Sequence, residues 1–121
     1  MHELAICQNI LSTIEEEMND EVSSIREIHL RIGLLSCIEP EVLKQSFSFM
    51  KIDTAFEKAD LYIEMIDVAA TCEKCGNNSK VEKYKFVCPA CEEPVSNVTA
   101  GNELLIYKIV LEQPSYAEIN Q

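Results

Sequence analysis

The chain is short of positive charge. It contains 10 lysines and arginines against 21 aspartates and glutamates, which gives a formal net charge of −11. Binding to nucleic acid depends on a basic face that displaces counterions from phosphates. The composition therefore argues against DNA or RNA as the main partner. A surface this acidic suits cationic patches on other proteins and attracts metal cations.

Long apolar runs are missing as well. No stretch approaches the roughly 18 hydrophobic residues of a membrane span, and the polar start Met1-His2-Glu3 lacks the basic region of a signal peptide. We therefore expect no membrane segment and a cytoplasmic location. The two histidines lack a plausible triad, so a hydrolase is disfavoured, and His29 is interpreted as a residue on the face of a strand.

Cysteine is the informative residue type. Two Cys-x-x-Cys pairs, separated by twelve residues, contain Cys72, Cys75, Cys88 and Cys91. Each pair places two thiolates on one tight turn, and two such turns supply the four ligands of a closed, structural zinc site. Gly76 follows the first pair and permits the positive φ that such a turn needs. The rival interpretation is a set of redox pairs or disulfides. Cys7 and Cys37 are interpreted as buried thiols.

Hydrophobic periodicity predicts two helices and three strands in the rest of the chain. The helices are expected at residues 4–18 and from Pro40 onward, and the strands at residues 27–34, 61–69 and 103–112. The last strand is apolar on both faces, which predicts a place in the middle of the sheet or a second face beneath a partner. Inward-facing positions of the second helix are predicted at Val42, Leu43, Ser46, Phe47 and Met50. Phe47, Phe49 and Phe56 are interpreted as core.

These elements predict an α+β fold. A three-stranded sheet is covered on one face by two helices, and a four-cysteine zinc-ribbon module is inserted after the second strand. The predicted bounds are 1–70 and 100–113 for the α+β domain, 71–99 for the ribbon and 114–121 for a flexible tail. Residues 77–85 are nearly all polar, so zinc is expected to supply most of the folding free energy of the ribbon.

The first three residues form a candidate second metal site. The α-amine of Met1, a backbone amide and the imidazole of His2 are nitrogen donors that suit Ni(II) or Cu(II). Glu3 adds an oxygen ligand or holds the imidazole in place. The alternative is an N-terminal histidine that is simply solvated, and these three residues alone leave both interpretations open.

Several segments, taken together, resemble the HypA/HybF family of nickel metallochaperones that serve [NiFe]-hydrogenase maturation. The matching residues are Met1-His2-Glu3-Leu4-Ala5-Ile6, Leu30-Arg31-Ile32-Gly33 with Ser36, Glu39-Pro40-Glu41, the paired Cys-x-x-Cys motifs and Gly101-Asn102-Glu103-Leu104. The resemblance covers the chain in order as far as about residue 112. Two positions depart from the family pattern: Leu34 stands where an acidic residue is common, and Glu92 follows the second pair where glycine is usual.

The resemblance implies a non-enzymatic carrier of Ni(II) with a structural Zn(II) site. His2 is then the essential nickel ligand, Met1 and Glu3 complete the site, and Glu39 is a further candidate carboxylate. Implied partners are a HypB-type nickel GTPase and the hydrogenase large-subunit precursor, for a protein that is a monomer or weak homodimer. The alternative function is a zinc-ribbon adaptor that binds protein or nucleic acid and transports no metal.

Overall fold

The computed structural model describes residues 3–112. The predicted first helix is confirmed as α1, Glu3–Met18. Its buried side chains recur at helical spacing, which explains why the segment folds in this way: Ile6, Cys7, Ile10, Leu11 and Ile14. A 3-10 turn over Asn19–Ser24 follows and leads into the first strand.

Two sheets of three strands make up the β structure of the described residues. The first sheet contains β1, Ile25–Gly33; β2, Asp60–Ile66; and β6, Leu104–Leu111, in the order β2-β1-β6. The second contains β3, Ala69–Thr71; β4, Asn78–Lys80; and β5, Asn97–Ala100, in the order β4-β3-β5. Helix α2, Pro40–Met50, lies between β1 and β2 in the chain. The predicted α+β class is confirmed.

The prediction that the last strand lies in the middle of its sheet is wrong. Strand β1 is central, and β6 lies at an edge. The amide of Gly33 donates to the carbonyl of Glu103 at 2.8 Å, and the amide of Glu112 donates to that of Ser24, so β1 and β6 run antiparallel. The apolar residues that suggested a central strand are partly exposed, with Leu105 half-exposed. The alternative, that a partner covers the second face of this strand, remains a prediction.

The predicted strand at residues 61–69 is in fact two strands. Asp67 and Val68 separate β2 from β3, which belong to different sheets, and β3 pairs antiparallel with both β4 and β5. Strand β4 was missed because its residues are polar and it is held by backbone pairing. The ribbon strands enclose a hydrophobic cluster larger than the polar sequence suggested: Val68, Ala70, Cys72, Val81, Cys88 and Val95.

Three further side-chain predictions are corrected, and so is the predicted end of the first strand, which is Gly33 and not Leu34. Leu34 and Cys37 lie in a short turn after β1, where both are exposed, although Cys7 is buried as expected. On α2, Phe47 is buried as predicted, but Val42 and Phe49 are exposed. Phe49 lies two residues beyond Phe47, which is about 200° around a helix. Phe56 is confirmed as core.

The chain divides into two compact units. One contains residues 1–30, 39–62 and 106–121, and the other contains residues 31–38 and 63–105. Whether residues 71–99 fold as a domain with the predicted bounds remains a prediction. Within the described part of the chain, neither helix is long and apolar enough to cross a membrane.

Candidate metal centres

The two Cys-x-x-Cys turns have the same backbone geometry. In the first, the amide of Gly76 donates to the carbonyl of Cys72 at 2.8 Å, and in the second the amide of Glu92 donates to Cys88 at 2.8 Å. Each turn is closed by a second bond, from the Cys72 amide to the Asn77 carbonyl at 2.8 Å and from the Cys88 amide to Glu93 at 2.9 Å. The turns are therefore two copies of one metal-binding knuckle.

The four sulfur atoms fit a tetrahedral ion. All lie within 4.8 Å of one another. The Sγ atoms are 3.6 Å apart between Cys72 and Cys91, and also 3.6 Å apart between Cys75 and Cys88. A tetrahedral site with Zn–S bonds of about 2.3 Å has S–S edges of about 3.8 Å. A disulfide needs about 2.05 Å, so this spacing rules out the disulfide interpretation. The donor set and its geometry fit zinc.

Backbone amides aimed at Cys72 and Cys88 favour the thiolate form of these two ligands, whereas neighbouring thiols and burial raise the pKa of Cys75 and Cys91. In each knuckle the first cysteine accepts hydrogen bonds from the amides two and three residues later. The Cys91 and Ala90 amides lower the pKa of Cys88 to about 6, and the Cys75 and Lys74 amides lower the pKa of Cys72. Such bonds stabilise the charged form of the ligand. By contrast, burial raises the pKa of Cys7 to about 11, which leaves that thiol unreactive.

Gly76 and Glu92 occupy equivalent positions in the two knuckles. Both have left-handed backbone conformations, with φ of 77° and 63° respectively. No neighbouring atom lies within 4 Å of a Cβ built on Gly76, so glycine is favoured there by its φ and not by space. The unusual Glu92 therefore preserves the turn at a conformational cost of about 1–2 kcal/mol.

Replacing Glu92 with glycine is expected to stabilise the ribbon by about 1 kcal/mol, because the left-handed conformation then costs little. Thermal unfolding of the zinc-bound protein measures the gain as a rise in the midpoint temperature. Glu92→Ala is the matched control, because it removes the charge but keeps the Cβ. An equal gain from alanine would mean that the carboxylate, and not the backbone, is responsible.

The N-terminal candidate site is described only from Glu3 onward, and Met1 and His2 lie outside the described residues. One oxygen of Glu3 accepts a hydrogen bond at 3.0 Å from the amide of Glu39, the residue that precedes α2. The structure therefore brings together the predicted ligand Glu3 and the backbone of the further candidate Glu39. The Glu39 side chain is exposed.

His29 lies on the face of β1, as predicted, and makes local contacts. Its Nε2 is 2.8 Å from an oxygen of Glu27, and its ring stacks on Tyr62 with centroids 4.9 Å apart. Tyr107 meets the same ring edge-on at 5.9 Å. The only group of metal-ligating side chains found among residues 3–112 is the four-cysteine site.

The fold and the four-cysteine centre define a metal-binding protein of α+β class with a ribbon of paired knuckles. Residues 1–111 match a family model described as "HypA: Hydrogenase/urease nickel incorporation, metallochaperone, hypA". The chain belongs to this HypA family.

Relatives and solved structures agree with the assignment. The chain is 31% identical over 113 residues to the hydrogenase maturation factor HypA of Aquifex aeolicus, with 93% of this chain and 98% of that protein covered. It is 34% identical to HypA of Acidithiobacillus ferrooxidans, with 93% and 100% covered. In fold it is similar to the solution structure of the Ni metallochaperone HypA from Helicobacter pylori, with a TM-score of 0.64, 21% identity and 94% and 100% covered.

Proposed function

We propose that this protein is a cytoplasmic nickel metallochaperone, not an enzyme, that delivers Ni(II) for maturation of [NiFe]-hydrogenase. The observation that carries the proposal is the match of residues 1–111 to a family of nickel incorporation factors. That match includes the proposed nickel ligands His2, Met1 and Glu3. Nickel is the cargo, and its ligands bind it with modest affinity so that it can leave again.

The contact between Glu3 and Glu39 supports a nickel site at the start of α1. Glu39 directly precedes α2, so its amide is at the positive end of that helix, where a carboxylate is stabilised. This hydrogen bond fixes the carboxylate of Glu3, the residue that directly follows His2 in the chain. Glu39 supplies a second carboxylate from the same neighbourhood, as an additional ligand or as a group that positions His2.

The four cysteines hold a structural Zn(II) in this proposal. A closed set of thiolates leaves no coordination position for a substrate, so the ion stabilises the ribbon and takes no part in the transfer of nickel. Cys72, Cys75, Cys88 and Cys91 all belong to the second compact unit, whereas the described nickel candidates Glu3 and Glu39 belong to the first. Permanent and transported metals are thus bound by different segments.

The proposed partners are a HypB-type nickel GTPase and the hydrogenase large-subunit precursor. Among the described residues, the first unit has thirteen acidic and five basic side chains, whereas the second has seven and five. Most of the negative charge therefore lies in the unit that contains the proposed nickel ligands. Charge of this sign attracts a divalent cation and suits partners with cationic surfaces.

Replacing His2 with alanine is expected to abolish stoichiometric nickel binding, because the imidazole is lost from a site of few donors. Calorimetric titration of Ni(II) into the zinc-bound protein measures this, and elemental analysis checks that one zinc is retained. The matched control is His29→Ala, which removes the other histidine from a strand that lies outside the proposed site. It should bind nickel as the unmodified protein does.

Stoichiometric nickel uptake by the His2→Ala variant would contradict the assignment of His2. A complete failure of the unmodified protein to take up nickel would favour the zinc-ribbon adaptor instead. Moving the α-amine by adding residues before Met1 provides a second test, because it should impair both nickel binding and hydrogenase activation in cells.

A further inference from the structure

Helix α2 carries an exposed apolar stripe on the side opposite its buried residues. Phe49 is 76% exposed, Ile52 54% and Val42 42%. Ile52 lies in the turn that continues α2, where the amide of Lys51 donates to the carbonyl of Phe47 at 2.9 Å. We refer to Val42, Phe49 and Ile52 as the α2 stripe. Two large apolar side chains exposed on one short helix, with a third in the turn after it, mark an interaction surface.

The spacing of the stripe is that of a helix–helix seam. Val42, Gln45, Phe49 and Ile52 follow one another at intervals of three, four and three residues, which is the pattern of a and d positions in a heptad. Gln45 is exposed and occupies one of these positions. At about 1.5 Å per residue, the helical part of the stripe from Val42 to Phe49 is about 10 Å long, and Ile52 extends it into the turn beyond α2. A ridge of this form fits the seam of a second helix.

The charges beside the stripe are acidic. Glu41 precedes Val42 and Asp53 follows Ile52, and both are exposed, whereas Ser46 and Ser48 are neutral. Glu41, Ser46 and Ser48 occupy positions that flank an a/d seam, where charges select the partner. Asp53, with a φ of 61°, lies in the turn that follows the helix. Lys51 lies outside this set, because its Nζ donates to the carbonyl of Ala59 at 2.8 Å. Lys44, the lysine within α2, is also off the seam and is half-buried.

We propose that the α2 stripe docks an amphipathic helix of another protein whose apolar seam is flanked by lysine or arginine. Basic residues on the incoming helix would face Glu41 and Asp53, in a unit that is itself strongly acidic. A second copy of this chain would present the same carboxylates, and like charges across the seam oppose that pairing. The proposal does not depend on nickel being bound.

A defined peptide probe tests the proposal. A fluorescein-labelled helical peptide of about three heptads carries isoleucine and leucine at its a and d positions and lysine at e and g. A matched peptide has glutamate at e and g. Fluorescence anisotropy against the zinc-bound, full-length protein should show at least about tenfold tighter binding of the lysine peptide, because only its charges complement the stripe.

Two variants connect the binding to the stripe. Phe49→Ser should weaken binding of the lysine peptide by about tenfold or more, because a central aromatic side chain contributes most at such interfaces. Tyr84→Ser, at an exposed aromatic residue of the ribbon unit, is the matched control and should leave binding unchanged. Glu41→Lys should weaken binding of the lysine peptide and strengthen binding of the glutamate peptide. Unaltered melting curves show that the variants are folded.

Three results would overturn the proposal. Equal affinity for the two peptides would show that the acidic residues beside the stripe do not select a basic partner. An unchanged affinity of Phe49→Ser for the lysine peptide would mean that the stripe is not the docking surface and that the attraction is a general property of an acidic protein. Sedimentation that shows a dimer of the unmodified chain, dissociated by Phe49→Ser, would identify a second copy as the occupant.

Discussion

Cys88→Ser is expected to release the metal from the ribbon and to unfold the strands around it. Cys88 is fully buried, its thiol has a pKa lowered to about 6, and its side chain is part of the hydrophobic cluster of the ribbon. A serine hydroxyl does not replace a thiolate as a zinc ligand. Structural zinc contributes about 10–16 kcal/mol to the folding of small zinc domains, so this is the largest effect that we expect from a single substitution.

Two measurements test whether Cys88→Ser releases the metal and unfolds the ribbon. Elemental analysis gives the zinc content, and an amide correlation NMR spectrum shows which residues lose their native shifts. The amide signals of Ala70, Val81 and Val95 should lose their native chemical shifts, whereas those of α1 and α2 should keep them. Cys37→Ser, at an exposed cysteine outside the site, is the control and should change neither measurement. Loss of all native signals would show that the helix–sheet module does not fold without the ribbon.

Gly33→Ala is expected to destabilise the protein by about 3 kcal/mol or more, because overpacking here forces backbone movement. A Cβ at Gly33 would lie 2.0 Å from the carbonyl carbon and oxygen of Gly101 and 2.5 Å from the amide nitrogen of Asn102. These are backbone atoms, so no side chain can move aside. The same displacement would disrupt the 2.8 Å hydrogen bond from the Leu35 amide to the Gly101 carbonyl.

Urea denaturation followed by circular dichroism measures the loss at Gly33. Gly76→Ala is the matched control, since its Cβ would meet open space and only the positive φ opposes the substitution. That variant should lose about 1–2 kcal/mol. Glycine is required at position 33 because neighbouring backbone atoms leave no space for a Cβ, and it is favoured at position 76 because of the positive φ. Equal losses would show that the close approach of residues 33 and 101 is not rigid.

The elements with the strongest periodicity were predictable from the sequence. Helix α1 and the alternating β1 follow their patterns closely, because each buries one regular face. Strand β4 was not predictable, since Asn78, Ser79 and Lys80 carry no hydrophobic signal and pair through their backbone. Strand β6 was misplaced because its apolar residues suggested two covered faces, whereas the order of strands depends on long-range pairing that periodicity does not report.

The four-cysteine site was predictable because its ligands are fixed by local spacing, and the structure brings the four sulfurs together. The contact between Glu3 and the Glu39 amide joins residues 36 positions apart, so spacing alone did not give it. The α2 stripe was missed for a related reason. A hydrophobic residue at helical spacing is assigned to the core by default, and only the packing of Phe47 shows that Phe49 points elsewhere.

The four ligands of the ribbon differ in their access to solvent. Cys72 and Cys88 are buried, Cys91 is partly covered and Cys75 is exposed. Cys75 is therefore the ligand most accessible to a chelator or oxidant. Detachment of Cys75 would open the coordination shell while the two buried thiolates, Cys72 and Cys88, remain bound to the ion. We therefore expect metal loss to a chelator to begin at Cys75.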